Sequence, residues 1–488
     1  MKEINKIKRK LEKFSYSSIL DIVLNNLTNS RFISQNSIPH ASQMSWINIA
    51  ILSLAKNSFA TKPIKAIDHF NICIDIFKLS DSLIPKNNEN NLLWVRPLIN
   101  QQALYSNYEQ SQFIQRITRD YIIINNCKKI KIKLESELKY SIADSLIIKK
   151  IISIHLFTKK TICVGEIILD LNGRVSANSL INFFLNNTIK KENIKSFLEE
   201  NEITTIDSAH RDSRLKEFIF YTSNYKVQPI EFNLSVQSIG QNIFMKMKRH
   251  CENLYEEYTN EFEKYILDLL RQSNLTVLSA EDLIVLYRKN CVPNSGRSNT
   301  DAVFVMDETL YLIEVKAIQE TDFIKASTDQ EIVTKQFDRS LTKSVHQIIK
   351  TASLIQEYNI LAFKKAVGIT VLADEFTLLS TATSITQAIG KEFNIPDNIC
   401  KKLCIKDIHV MGANEFENFF HEKNTSSKNK IKELLEARKN NIHNGGEKPI
   451  ITKDQSYQRK LLQAIKTNTV KKYDLLSTIS SFNEKIFD

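Results

Sequence analysis

Through the first 240 residues, apolar positions recur mainly at helical spacing. Ile19, Leu20, Ile22, Val23, Leu24 and Leu27 repeat at intervals of three and four, as do Ile49, Ile51, Leu52 and Leu54. This pattern predicts helices with one buried stripe. Asn87 to Asn91 reads as a loop. From Ile130 to Leu138 the pattern changes: Ile130, Ile132 and Leu134 alternate with Lys131, Lys133 and Glu135. Period-two alternation predicts a strand. A further apolar run, Cys163 to Leu171, is closed by the turn pair Asn172-Gly173. Strands are therefore expected within 130–171. Helices resume near Ser179–Phe184 and Ile194–Glu200. No internal repeat is visible.

After Gly240 a long helical pattern covers Ile243 to Gln272, with Tyr255, Tyr258, Phe262, Ile266, Leu269 and Leu270 on one side. A strand-like Val277-Leu278 follows, then the loop Pro293–Gly296. Two apolar runs come next, Ala302–Met306 and Leu310–Val315, divided by the polar Asp307-Glu308-Thr309. That is a hairpin. Thr328 to Tyr358 reads as helix, Ala366–Leu372 and Ile408–Met411 as strands, and a helix begins near Glu415. The order predicts a mixed α/β sheet domain at 245–425. A mainly helical region of unknown role, 1–240, precedes it, and a basic helical segment, 426–488, follows.

Composition narrows the function classes. The chain has 488 residues, 42% hydrophobic and 25% charged, which is enough apolar material to exclude a disordered chain. Nine glycines and eight prolines leave little room for long flexible linkers. No Gly-x-x-x-x-Gly-Lys and no Gly-x-Gly-x-x-Gly occurs, which argues against an intrinsic ATPase or a dinucleotide-dependent enzyme. The seven cysteines are scattered, as expected in a reducing compartment. Cys400 and Cys404 are four apart, so they would share a helix face. Without a histidine at finger-like spacing, packing into a core is the expectation for them, not zinc. No run of eighteen uncharged apolar residues exists and no signal peptide is evident. A cytoplasmic protein with no membrane segment is expected.

The net charge of +11 is concentrated. Lys423 to Lys472 holds 13 Lys or Arg against 4 Asp or Glu, which leaves about +2 for the rest of the chain. Such a segment is either a phosphate-binding surface or a solvated lysine-rich tail.

The hairpin carries the chemistry. Asp301 opens its first strand and Glu314-Val315-Lys316 closes its second. Alternation puts Glu314 and Lys316 on one face and Val315 on the other. The short turn sets the start of one strand opposite the end of the other, so Asp301 and Glu314 would meet across the pair. Two carboxylates and a lysine at the end of an apolar sheet are costly to half-bury without a partner. A hard divalent cation, Mg²⁺ or Mn²⁺, would resolve the repulsion and offset transition-state charge. Lys316 would orient or help deprotonate a water. These parts suit phosphodiester hydrolysis.

Asp301, then Glu314-x-Lys316 after a hairpin, resembles the PD-(D/E)xK nuclease superfamily, whose fold is restriction-endonuclease-like. Phe262-Glu263-Lys264-Tyr265-Ile266 followed by Val277-Leu278 resembles the helix that precedes that hairpin in many members. The resemblance covers 250–425. It implies Mg²⁺ or Mn²⁺ held by Asp301, Glu314 and Val315, with Glu263 in the metal or water network. It also implies a glutamine on the helix after the lysine strand, Gln347 or, behind it, Gln336. Asn299-Thr300 stand where the eponymous proline would be. The implied activity is DNA hydrolysis in restriction or defence against foreign DNA. DNA is the implied partner, a protein partner or trigger is expected through residues 1–240, and a homodimer would serve to cut both strands. A catalytically silent nucleic-acid-binding module, a partner-activated nuclease and an RNA-directed nuclease stay open. Asp120 with Glu137-Leu138-Lys139 satisfies the same bare pattern, but no short hairpin joins them.

Overall fold

A computed structural model describes residues 2–29, 45–82, 110–158, 163–199, 218–223, 226–272, 275–293, 299–318, 330–374, 382–389, 392–420 and 474–487. They fall into two compact units, with the division between Glu252 and Asn253 and with the last helix belonging to the first unit. The loop expected at Asn87–Asn91 and the basic segment Lys423–Lys472 lie outside the described residues.

The first unit is mainly helical. Its helices are α1 (Lys2–Leu11), α2 (Tyr16–Asn29), α3 (Ser45–Leu54), α4 (Ala66–Ser82), α5 (Gln110–Asn126), α6 (Lys128–Leu138), α7 (Ile142–Thr158), α8 (Val164–Leu171), α9 (Ala177–Asn187), α10 (Ile194–Glu199) and α11 (Phe232–His250). A small sheet joins them. Strand β1 (Thr188–Lys190) runs parallel to β2 (Phe220–Ser223), which pairs antiparallel with β3 (Lys226–Pro229). The expected stripe of α2 is buried, with Ile19, Leu20, Val23, Leu24 and Leu27 all in the core.

Two expectations are corrected here. Residues 130–138 form helix α6, not a strand. Ile130, Leu134 and Leu138 are buried at intervals of four, whereas Ile132 is 71% exposed. The same apolar set fits both periods, and helical spacing wins because it aligns three large side chains on one face. Residues 164–171 are also a helix, α8, although Asn172-Gly173 does turn the chain, with Gly173 at φ 80°. With no strand near Lys139, the alternative trio disperses: Asp120 is buried in α5, while Glu137 and Lys139 are exposed at the end of α6.

Helix α7 is apolar on almost every side and takes the centre, packed by α5, α8, α9 and α11. It nevertheless buries Lys149. Burial pushes that amine down to about 8, against the opposing pull of Asp120. The folded state therefore disfavours the ammonium below pH 8, and the penalty fades as pH rises from 8 towards 10.5. Lys149→Met should raise stability at pH 7 by up to about 3 kcal/mol. The gap should close in thermal melts at pH 10. A gap that does not change with pH would contradict this assignment.

The second unit holds α12 (Tyr255–Gln272), β4 (Leu278–Ser279), α13 (Ala280–Lys289), β5 (Ala302–Met306), β6 (Thr309–Lys316), α14 (Gln330–Phe337), α15 (Lys343–Glu357), β7 (Lys365–Leu372), α16 (Ala382–Ile389), β8 (Ile408–Gly412) and α17 (Ala413–Phe420). The expected Ile243–Gln272 helix is thus two helices, broken at Cys251–Leu254. Lys248, Arg249 and His250 end α11, and Glu256 and Glu257 begin α12. Each set complements the dipole of its own helix end. Helix α18 (Leu475–Phe487) closes the chain within the first unit, where Phe482 meets Phe184 edge-on.

The five strands run in sequence order, β4 to β8. β4, β5 and β6 pair antiparallel, while β6, β7 and β8 pair parallel. Helices α14 and α15, joined by a π-helical turn at Asp338–Thr342, form the crossover from β6 to β7. A Cβ at Gly368 on β7 would stand 2.5 Å from Cγ2 of Ile348 on α15, so only glycine admits this approach.

The hairpin is the one expected. Asp307 (φ 48°) and Glu308 (φ 60°) both adopt left-handed backbone, as a two-residue type I′ turn requires. Side chains there cost about 1 kcal/mol each. Asp307→Asn with Glu308→Gly should raise the melting stability of this unit by about 1 kcal/mol. The Glu308 carbonyl, which accepts from Lys364 N at 2.7 Å, is retained in that variant. Cys400 and Cys404 correct another expectation. They are exposed and stand outside any helix, and Ile399 and Leu403 beside them are buried instead.

Candidate active site

The β5–β6 register pairs Ala302 with Ile313. One step further, it sets Asp301 opposite Glu314. Oδ2 of Asp301 accepts from the amide of Val315 at 2.6 Å. Glu314 is fully buried in the middle of the sheet, with β7 as its far neighbour. Its Oε1 accepts from Lys316 Nζ, two residues on along the same face. Its Oε2 is buried without a hydrogen-bond partner among the described residues.

Glu263 joins this group from α12. Tyr258, Phe262, Tyr265, Ile266, Leu269 and Leu270 bury one face of that helix, which leaves Glu263 half-buried beside it. The helix is tied at two points. Tyr255 Oη donates to the carbonyl of Ala317, the residue after Lys316. Tyr265 Oη donates to Glu417 Oε1 at 2.9 Å.

The electrostatics read as one cluster. Burial, then the charge of Asp301, pushes Glu263 up to about 7, against Lys316. Burial also raises Asp301, opposed by the Val315 amide and by Lys316. Burial, then Asp301, pushes Glu314 up to about 8. Lys316 lies against Glu314, yet desolvation outweighs that contact. Three carboxyls with raised proton affinity are thus coupled to one another and to the Lys316 side chain.

Among the described residues, no three His, Cys, Asp or Glu side chains stand close enough to enclose a metal. Mg²⁺ does not need such a cage. It is commonly held by one or two carboxylates, with water and substrate oxygens filling the rest. The unpartnered Oε2 of Glu314 and the Asp301 carboxylate fit that hard-oxygen pattern, with the backbone carbonyl of Val315 as the remaining candidate donor.

The expected glutamine lies on the helix that follows the lysine strand, and its amide faces main chain. Gln347 on α15 donates from Nε2 to the carbonyl of Asn299 at 3.1 Å, so it holds main chain ahead of Asp301. Gln336, half-buried on α14, makes no side-chain hydrogen bond among the described residues. The ring of His346 packs against Phe393. Sequence reasoning missed Tyr255 and Thr351. Thr351, one turn past Gln347, accepts from the Thr300 amide at 3.1 Å. The helical spacing of Gln347 and Thr351 was the available signal.

A second set of catalytic residue types occurs in the first unit. Nε2 of His69 lies 3.0 Å from Asn48 Oδ1 and 3.6 Å from Cys73 Sγ. All three are buried, and burial pushes the Cys73 thiol up to about 12 and His69 down to about 4. A neutral thiol beside a neutral imidazole, sealed from solvent, is core packing and not a nucleophile.

The chain matches no family model, no curated protein and no solved structure. Among the described residues, no helix is long and apolar enough to cross a membrane.

Proposed function

We propose that this protein is a divalent-metal-dependent nuclease of the PD-(D/E)xK, restriction-endonuclease-like kind, acting on DNA. One observation supports this above the others: a buried Glu314 with an unsatisfied oxygen, flanked by Asp301, Glu263 and Lys316 at the end of a hairpin. A surface salt bridge leaves both partners solvated, whereas this carboxylate has no exposure at all.

Bound there, Mg²⁺ or Mn²⁺ would neutralise the carboxylates and offset charge on the phosphoryl oxygens. The residues of the chain do the rest. Asp301 and Glu314 supply oxygen donors, with Val315 through its backbone. Lys316 is one side chain from that site and would orient the attacking water and stabilise developing negative charge. Glu263, poised near neutrality, would accept a proton from that water directly or through the hydration shell. The +9 segment Lys423–Lys472 would add salt-sensitive, sequence-independent affinity for the phosphate backbone. A role in restriction or defence against foreign DNA follows as a proposal from the same resemblance.

Calorimetry with Mn²⁺ on wild type and Asp301→Asn, paired with plasmid cleavage with and without metal, tests the reading. Tight binding that weakens in the variant, with cleavage only when metal is present, is expected. Equal binding in both proteins would sink it. Metal binding without cleavage would shift the assignment to a silent binding module or a partner-activated enzyme. Cleavage of RNA alone would move it to an RNA-directed one.

A further inference from the structure

Asp301 follows a short irregular segment, 299–300, and not the rigid proline that names the superfamily. A metal-binding carboxylate on irregular backbone needs something to fix its direction of approach. Helix α15 supplies two hydrogen bonds for this, one turn apart. Gln347 Nε2 donates to the Asn299 carbonyl, and the Thr300 amide donates to Thr351 Oγ1, both at 3.1 Å. A third bond fixes the far side, where the Asp301 carbonyl accepts from Ala280 N at 3.0 Å, at the start of α13. Thr300 and Thr351 are fully buried, so no water competes for the amide. α15 is itself pinned to the sheet beneath by the Gly368–Ile348 contact and by Ser344 Oγ against Thr370 Oγ1 at 2.9 Å. Thr370 is the β7 register partner of Glu314. One rigid helix therefore fixes the backbone before one metal-site carboxylate and packs on the strand beside the other.

We propose that Gln347 and Thr351 are positioning residues: α15 clamps Asn299-Thr300 so that Asp301 is delivered opposite Glu314 without a proline. This rests on the metal-site reading above, and it gives Gln347 a main-chain role. Thr351 has no carboxylate and no charge, and its buried hydroxyl oxygen is engaged by the Thr300 amide. Partners that orient metal ligands from outside the first coordination layer typically change affinity by about 10- to 100-fold when removed.

The test uses the full chain with Mn²⁺ alone as the probe. Thr351→Val keeps the branched shape and removes the acceptor, whereas Thr351→Ser keeps the acceptor. Gln347→Met removes the donor at similar length. Calorimetric Mn²⁺ affinity should fall at least about 10-fold in Thr351→Val and in Gln347→Met. It should stay near wild type in Thr351→Ser, with melting checked for each protein. Wild-type affinity in Thr351→Val overturns the clamp. So does a Thr351→Ser protein as weak as Thr351→Val, because shape and not the acceptor would then matter. If Thr351→Val does not fold, Gln347→Met decides, and unchanged affinity there overturns the proposal. Asp301→Asn separates the two levels. A weak Asp301→Asn with an unaffected Thr351→Val removes the clamp alone. Unaffected binding in Asp301→Asn removes the site reading beneath it.

Discussion

Lys316→Ala should abolish metal-dependent DNA cleavage, with a loss on the order of 10²- to 10⁴-fold in rate. Two effects combine. On the proposed mechanism, the ammonium beside the Asp301–Glu314 site disappears, and with it the stabilisation of charge that would develop only in the transition state. In addition, Lys316 is the main group holding down the proton affinities of Glu263 and Glu314. Without it both carboxyls should hold their protons to higher pH, so metal loading should shift upward in pH as well. The variant therefore differs from a simple catalytic deletion. Raising pH or Mn²⁺ should recover binding but not cleavage. Supercoiled-plasmid cleavage across pH 6–9, alongside Mn²⁺ calorimetry at the same pH values, separates the two. Equal cleavage by wild type and variant would mean that the hairpin is not the active site.

Glu314→Gln should make the metal-free protein more stable in mild alkali than wild type. The ordinary carboxyl value is 4.5, and in the fold Glu314 is pushed up to about 8. Between those values the folded protein keeps a proton that the unfolded chain has released. The group therefore favours folding fully below about pH 4.5 and loses that contribution as pH climbs through 8. Glu263, raised to about 7, acts in the same direction over a narrower window. Metal-free wild type should thus lose stability between pH 4.5 and 8. Glutamine mimics the protonated acid and does not titrate. The difference in melting temperature should be small at pH 5 and grow to several degrees by pH 8. Mn²⁺ should reverse the alkaline loss in wild type and not in the variant. Parallel pH curves for the two proteins would show that Glu314 titrates normally.

The second unit was largely legible in the residues, and its legibility has physical causes. Its strands are near-continuous apolar runs because both faces are covered, and Asp307-Glu308 interrupts them at one point only. Glu314-x-Lys316 stands out because charge is rare in such a strand. Helix α13 was missed although its start is written plainly. Ser279 and Asp282 form a reciprocal capping box, a Ser-x-x-Asp signature that turns on three residues and not on periodicity. The first unit was harder. In α6, spacing of two and spacing of four coincide over so short a span that only the partner surfaces decide between them. Strands β1 to β3 are three or four residues long, too short for any period to register. The position of Gln347 on the helix after β6 is legible, but its sequence position tells nothing of whether its amide faces a ligand or, as here, a backbone carbonyl.

The turn at Asp307-Glu308 also bears on how the site comes into being. β6 meets β5 across two residues, but it reaches β7 only after α14, α15 and the turn between them have formed. Closing the short loop loses little chain entropy, and hairpins form in roughly 1–10 μs, whereas the parallel pairing waits for the whole crossover. The hairpin should therefore bring Asp301 and Glu314 near each other early, while still hydrated, and α15 should fix Asp301 and carry the pair into low dielectric only when it docks over Gly368. The expected order of assembly brings the two acids together first and desolvates them last. A cation present during folding would meet the pair while water can still exchange around it. Refolding with Mn²⁺ present from the start should then yield loaded protein faster than adding the same metal to the finished fold.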